Sequence, residues 1–426
     1  MTRVLVLSHT TGYQLRAFND AAEALGIELV FATDRCHRLD DPWQDRAVAV
    51  RFFDLEPSVA AITRRAREFS IDGIIAVGDR PVVLAARAAE ALGIRWHSVA
   101  GAIASTDKRR ARETLAAAGL PSARFRIHDA RFPIRDSGSA ISDQGFDWGF
   151  PVVLKPLGLS GSRGVIRANT EKEFTEAFER IRALLARPQV RAARTGLEDE
   201  ILVEEYVEGQ EFAIEGVMTE GVLRLFAIFD KPDPLEGPFF EETIYVTPSR
   251  FPASTQQRIA DHVQRAARAL GLHHGPIHAE CRVTPQGRIY VLEVAARPIG
   301  GLCSRVLTYQ NGASLESVLL QHALGRPIAG CPREERAAAV MMIPIPRRGI
   351  FKGVSGDNAA LAVPGVTEIR ITAKEGQLLE PLPEAGSYLG FIFARGITPE
   401  AAEAAVRIAH TKLEFAIARE LTLSNR

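Results

Sequence analysis

The chain has 426 residues, a formal net charge of +0, 46% hydrophobic residues and 24% charged residues. These proportions describe an ordinary globular protein of about two to four domains or subdomains. A balanced charge leaves no global field to gather nucleic acid or an anionic membrane, so neither is expected as a partner.

Only seven of the 52 basic residues are lysine, which makes each lysine worth following. Cys36, Cys281, Cys303 and Cys331 are scattered, with no CxxC pair or disulfide-like spacing, and point to reduced thiols in a cytoplasmic protein. No run of about 18 apolar residues suggests a membrane span. MTRVLVLSHT opens as a strand rather than as a signal peptide.

In chain order, RVLVLS (Arg3 to Ser8) reads as a buried strand, Tyr13 to Leu25 as a helix ending at Gly26, and ELVFAT as a second strand. DGIIAVGD (Asp72 to Asp79) is another strand, followed by a helix from Pro81 to Leu92. That alternation implies a parallel sheet with helices on its faces. No GxGxxG follows the first strand, so a dinucleotide site is not expected.

Ala102 to Leu120 reads as one helix containing Lys108, and His128 to Gly149 as a loop. FPVVLKPLGLSGSRGV (Phe150 to Val165) then sets a short β-branched strand against Lys155 and a glycine-serine loop. A helix from Glu171 to Arg187 and the strand ILVEEYV (Ile201 to Val207) follow, with a further turn and strand in EGQEFAIEGVM. After a helix from Thr255 to Leu270, IHAECRVT and RIYVLEVA flank Pro285-Gln-Gly287 as a hairpin. Ser314 caps a helix ending at Gly325, and the last hundred residues mix strands with a helix from Pro399 to Arg419.

Three segments carry chemistry. Lys155 beside Ser160, Gly161 and Ser162 offers a cation and flexible N–H and hydroxyl donors to a polyphosphate, the alternative being a hairpin with a surface lysine. In VEEYVEGQEF, Glu204, Glu205 and Glu211 can accept hydrogen bonds from an adenine amino group or ribose hydroxyls, while the backbone at Val207 serves an adenine edge. The alternative there is a solvated acidic turn. In the hairpin, Glu280 and Glu293 interrupt apolar strands, a costly placement unless the carboxylates are paired or bind metal. Paired hard oxygens suit Mg²⁺. Arg297 either pairs with these carboxylates or clamps transferring phosphoryl oxygens. His278 reads as a packed or supporting residue.

Taken in order, Lys108, VVLKP, SGSRGV, VEEYVEGQEF and HAE…LEVAARPIGG resemble the ATP-grasp superfamily over most of the chain. GPFFEETIYVTPS, EVAARPIGG and the C-terminal region look most like the L-amino-acid ligases and related carboxylate–amine ligases. The resemblance implies an α/β chain with the ATP-grasp fold. Its parts would be a Rossmann-like domain over 1–102, an ATP-grasp domain over 103–325 with a lid subdomain at about 122–205, and a C-terminal mixed α/β domain over 326–426.

The activity implied is ATP-dependent joining of a small-molecule carboxylate and an amine through an acyl phosphate. Lys108 and Lys155 would lie on ATP, Glu280 and Glu293 on Mg²⁺ (or Mn²⁺), and Arg297 on the transferring group. Gly300 and Gly301 would offer close-approaching N–H groups, and Glu242 a partner for a substrate ammonium or simply a surface charge. A homodimer is the assembly to test. Many relatives have Asn where this chain has Ala295, and some amino-acid ligases have His where Tyr245 stands. The alternatives are a biotin-carboxylase-like or purine-pathway ligase and a non-catalytic ATP-binding sensor.

Overall fold

A computed structural model describes residues 2–9, 14–34, 47–133, 146–310, 312–328, 334 and 336–420. Tyr13, Cys36, Cys331 and most of the expected loop before Gly149 (134–145) lie outside the described residues. The chain forms two units, each gathered from three separated stretches. The first takes Met1–Ser122, Phe212–Ile228 and Phe251–Glu335, and the second takes Ala123–Glu211, Phe229–Arg250 and Arg336–Arg426.

In the first unit the expected alternation forms a parallel sheet. Its order is Val48–Ala49, Glu28–Thr33, Arg3–Ser8, Gly73–Val77. Val4 to Leu7 are all buried, as a strand covered on both faces requires. Ile289–Ala295, Gly275–Val283, Gln210–Thr219 and Val222–Asp230 lie side by side in that order, the first two as the expected antiparallel hairpin. Helix Ala253–Leu270 buries Ile259, Val263, Ala266, Ala267 and Leu270, one face at helical spacing. A single apolar cluster runs through all these elements, from Leu5 to Ala296, and gives the hairpin a rigid support.

The helix expected over Ala102 to Leu120 is two helices, Val99–Thr106 and Lys108–Ala117. Asp107 breaks it by taking an extended backbone (φ −121, ψ 108) and accepting the N–H groups of Arg109 and Arg110 with its side chain. An aspartate that caps a helix competes directly with one that continues it. The break makes Lys108 the first residue of the second helix.

In the second unit, Phe125–Asp129, Glu200–Glu205, Val152–Pro156 and Ile166–Ala168 form an antiparallel sheet in that order. Helix Glu171–Leu185 closes one face with Phe174, Phe178, Ile181 and Leu185. His128 therefore belongs to a strand, because FRIHD finds a partner in Glu200–Glu205, and the loop begins after it. The strands Ile244–Thr247, Ala337–Ile343, Gly390–Gly396 and Val366–Ile371 lie side by side in that order, as half of an eight-stranded sheet, and pack against helix Pro399–His410. The expected continuation of that helix to Arg419 fails. It stops at His410, and Glu414–Ala418 pairs as a strand with Gly349–Ser355, setting Ile417 opposite Phe351. Aromatic and β-branched residues in EFAIA favour the strand once such an edge is available.

His97, His274 and His322 are buried in the first unit. His274 and His322 stack with ring centroids 4.5 Å apart, and His322 Nε2 lies 2.9 Å from Thr219 Oγ1. Burial lowers the pKa of all three, to about 3 for His97 and about 4 for His322. His97 and His322 are neutral when folded above those values, and each binds a proton once unfolded below about pH 6.5. The stability they contribute is therefore complete above that pH and is lost as pH falls toward 4, by up to about 1.4 kcal/mol per pH unit per histidine. His322→Gln should flatten the fall in melting temperature between pH 6.5 and 4. A slope equal to the parent's would remove His322 from the acid response.

Candidate active site

In the first unit the hairpin sets Glu280 directly opposite Glu293, with a register shift just after Glu280. Both remain partly exposed. Burial and the charge of Glu280 push the Glu293 pKa up, while the Lys108 ammonium pulls against them. Like charges facing each other on adjacent strands destabilise a sheet. A divalent cation relieves that repulsion, and the donor set of two hard oxygens fits Mg²⁺. Ala295, buried two residues beyond Glu293, supplies no further ligand atom.

Arg297 leaves the hairpin directly. Its guanidinium donates to both carboxylate oxygens of Asp79, at 2.7 and 3.2 Å. Although burial opposes its charge, the Asp79 carboxylate drives the Arg297 pKa upward. Asp79 follows the strand Gly73–Val77, at the carboxyl end where ligand sites of parallel sheets gather. The turn after Arg297 is open on one side. A Cβ built on Gly300 would meet nothing within 4 Å, and Gly301 has the left-handed φ of +64. That leaves room for a group to approach the backbone. Gln14 Nε2 donates to Ile299 O at 2.9 Å and braces the turn from behind.

In the second unit Lys155 ends its strand in an ion pair with Glu204, which is 3% exposed. Glu204 thus aims a lysine, while Glu205 accepts Arg124 N and Nε at 3.0 and 2.8 Å. Val207 lies just past the strand, where Tyr206 N donates to Pro151 O and the Arg167 guanidinium covers the Tyr206 ring at 4.1 Å. Ser160 and Gly161 are exposed, and both Gly161 and Ser162 adopt positive φ. The expected mobile loop is anchored at its end: Gly164 N donates to Pro383 O, and Arg163 Nε to Glu384 O at 2.7 Å.

Glu211 and Glu242 come together in the second unit around a residue that sequence reasoning passed over. Lys231, 3% exposed, pairs with Glu211 at 2.8 Å and also with Glu242. Glu242, read as a holder of a substrate ammonium, already holds one from its own chain. The scarcity of lysine was the signal available for Lys231. For Asp79 it was the position at the end of a parallel strand.

The ATP-grasp domain family matches residues 148–306, the ATP-grasp N-terminal domain matches 19–94, and L-amino acid ligase C-terminal domain 2 matches 341–418. The chain carries an ATP-grasp domain together with an L-amino acid ligase C-terminal domain. The ligase is similar to the crystal structure of L-amino acid ligase from Bacillus licheniformis, with a TM-score of 0.82 and 26% identity over 98% of this chain and 99% of that one.

In sequence it is 28% identical to the alanine–anticapsin ligase of Bacillus subtilis (strain 168), over 58% of this chain and 52% of that protein. It is 30% identical to a D-alanine–D-alanine ligase of Aromatoleum aromaticum (strain DSM 19018 / LMG 30748 / EbN1), over 45% of this chain and 56% of that protein. The ligase therefore spans about half the length of these two relatives. The family uses ATP and Mg²⁺. The C-terminal match does not favour the biotin-carboxylase-like, purine-pathway and sensor readings. Among the described residues no helix is long and apolar enough to cross a membrane.

Asp79 holds Arg297 by a bidentate, charge-assisted pair, a class of interaction whose loss costs about 1.5–3 kcal/mol. Asp79→Asn should lower turnover by about ten- to a hundredfold and lower the melting temperature by only a few degrees, leaving the protein folded at the assay temperature. Phosphate-release kinetics check this. Parental turnover would mean that Asp79 does not set the position of Arg297 during the reaction.

Proposed function

We propose that the ligase joins a small carboxylate, an amino acid in the simplest case, to the amine of a second small molecule, releasing ADP and phosphate. The observation that carries this reading is the Glu280–Glu293 pair facing Lys108, with Arg297 at the end of the same hairpin. A free carboxylate resists attack by an amine because it is anionic and lacks a leaving group. Transfer of the γ-phosphoryl group to one carboxylate oxygen gives an acyl phosphate. The amine then attacks the acyl carbon, and phosphate departs with that oxygen.

Every reactant before this step is anionic, so the residues have mainly to neutralise and orient. Arg297, fixed by Asp79, would hold the transferring phosphoryl oxygens, and Lys108 would offset the hairpin carboxylates. The N–H groups of Gly300 and Gly301 would hold the substrate carboxylate or the oxyanion. Mg²⁺ held by Glu280 and Glu293 would supply charge compensation to the ATP phosphates, and Mn²⁺ suits the same donors.

In the second unit, Lys155 with Ser160, Gly161 and Ser162 would bind ATP phosphate, and Lys231 adds a second ammonium whose charge Glu211 and Glu242 moderate. Glu205 and Val207 would border the adenine, with Glu204 acting through Lys155. The C-terminal match favours amino acids over bicarbonate or formate as substrates. The three-domain division 1–102, 103–325 and 326–426 is kept as the working scheme, since each matched span falls within one segment. Buried thiols at Cys281 and Cys303 suit a reducing cytoplasm.

Two measurements test this reading. Lys155→Ala should weaken ATP binding at least tenfold, about 1.4 kcal/mol by calorimetry. Unchanged affinity would remove Lys155 from the phosphates. In a screen of amino-acid pairs for phosphate release, oxygen-18 in the substrate carboxylate should emerge in the released phosphate. AMP as the nucleotide product, or unlabelled phosphate during amide formation, would overturn the acyl phosphate route.

A further inference from the structure

Glu215 lies in the strand Gln210–Thr219 with no exposed surface. Its Oε2 accepts the Ile299 N–H at 3.1 Å and lies 3.0 Å from His278 Nδ1. Its Oε1 is buried without a hydrogen-bond partner. Enclosing a carboxyl group this fully, with half its acceptor capacity unused, costs stability that an apolar side chain would not. The cost points to a task.

The two donors indicate what that task is. Ile299 is the middle residue of the turn Arg297 to Gly301. His278 sits on the neighbouring strand Gly275–Val283, two residues before Glu280. Alternation along a strand places His278 and Glu280 on one face. A single carboxylate oxygen therefore ties the turn that begins with Arg297 to the strand that carries Glu280. The turn needs such a tie, because Gly300 and Gly301 bring little conformational restraint of their own. The Gln14 bond to Ile299 O and the Asp79 pair with Arg297 brace it from other sides.

We propose that Glu215 is a positioning residue for the ligase reaction, fixing the Arg297–Gly301 turn against the Glu280 strand by holding Ile299 N–H and His278 on one oxygen. This rests on the reading of Arg297 and Glu280 as reaction machinery. Displacement of a reacting group by about 1 Å costs about a hundredfold in rate, so a loose turn is felt in turnover before it is felt in nucleotide binding. Burial pushes the Glu215 pKa well above the usual carboxylate range, against the pull of the Ile299 N–H and the Arg297 charge. An acceptor oxygen serves in either protonation state, which makes glutamine a fair substitute.

The test compares Glu215→Leu, Glu215→Gln and His278→Phe in the full chain. The readouts are kcat and KM for ATP, MgADP affinity by calorimetry, melting temperature, and hydrogen exchange of the peptide covering 297–301. Glu215→Leu should lose about a hundredfold in kcat, keep MgADP affinity within about twofold, and exchange at least tenfold faster in the turn. Glu215→Gln should keep at least about a tenth of the parental kcat and near-parental protection of the turn.

Parental kcat and protection in Glu215→Leu would overturn the proposal. Equal impairment of the leucine and glutamine variants would do the same, because charge and not an acceptor would then be what matters. If Glu215→Leu fails to fold, His278→Phe decides, with a loss of about tenfold in kcat and faster turn exchange expected and parental values overturning it. Should the parent form no amide with any substrate pair, the functional reading fails. Turn exchange in the same variants still settles whether Glu215 holds the turn.

Discussion

Glu280 and Glu293 face each other across one antiparallel pair of strands, and the first unit is organised around that repulsion. Like charges opposite each other weaken a sheet, and removal from water makes Glu293 harder to ionise. The surrounding residues answer with cations delivered by rigid backbone. Asp107 breaks a helix so that Lys108 begins the next one, and Arg297 leaves the hairpin only four residues after Glu293. Asp79 then balances Arg297. Three carboxylates against two cations leave the group net negative, suited to a dication and able, once it is bound, to receive phosphate. The large apolar cluster beneath matters because it denies the hairpin the easiest relief, which is to spread apart.

Local pattern carried much of this into view. The β-branched run before Lys155 and the turn Pro285-Gln-Gly287 each encode their own geometry within a few residues, and both elements formed where the sequence placed them. The carboxylates inside apolar strands stood out for the same reason: a costly residue in a cheap setting marks itself.

What failed to show was decided at a distance or by competition. Asp107 sits in a run with helical composition, and only its own capping bond breaks the helix. Glu414–Ala418 becomes a strand because Gly349–Ser355 offers an edge some sixty residues earlier in the chain. Asp79, Lys231 and Glu215 carry ordinary local signals. Their importance lies in partners separated by 218, 20 and 84 residues respectively, which periodicity does not record.

The scarcity of lysine acquires a physical meaning from the same geometry. Four of the seven lysines, Lys172, Lys352, Lys374 and Lys412, are exposed. The other three are Lys108 against the charge of Glu293, Lys155 against Glu204, and Lys231 between Glu211 and Glu242. Arginines meanwhile do the structural bracing. Arg112 donates to Leu292 O at 2.7 Å, Arg163 to Glu384 O at 2.7 Å and Arg347 to Ile417 O at 2.6 Å.

The division follows from the two head groups. A guanidinium is a planar fork that fixes direction, which suits a brace across backbone carbonyls or a bidentate grip on Asp79. An ammonium is a compact point charge whose donors rotate, so it can lean on a glutamate in one state and turn to a phosphate oxygen in another without rebuilding its surroundings. In a chain that uses arginine for nearly every other basic position, the internal lysines stand, under the proposed function, where a charge would change partners.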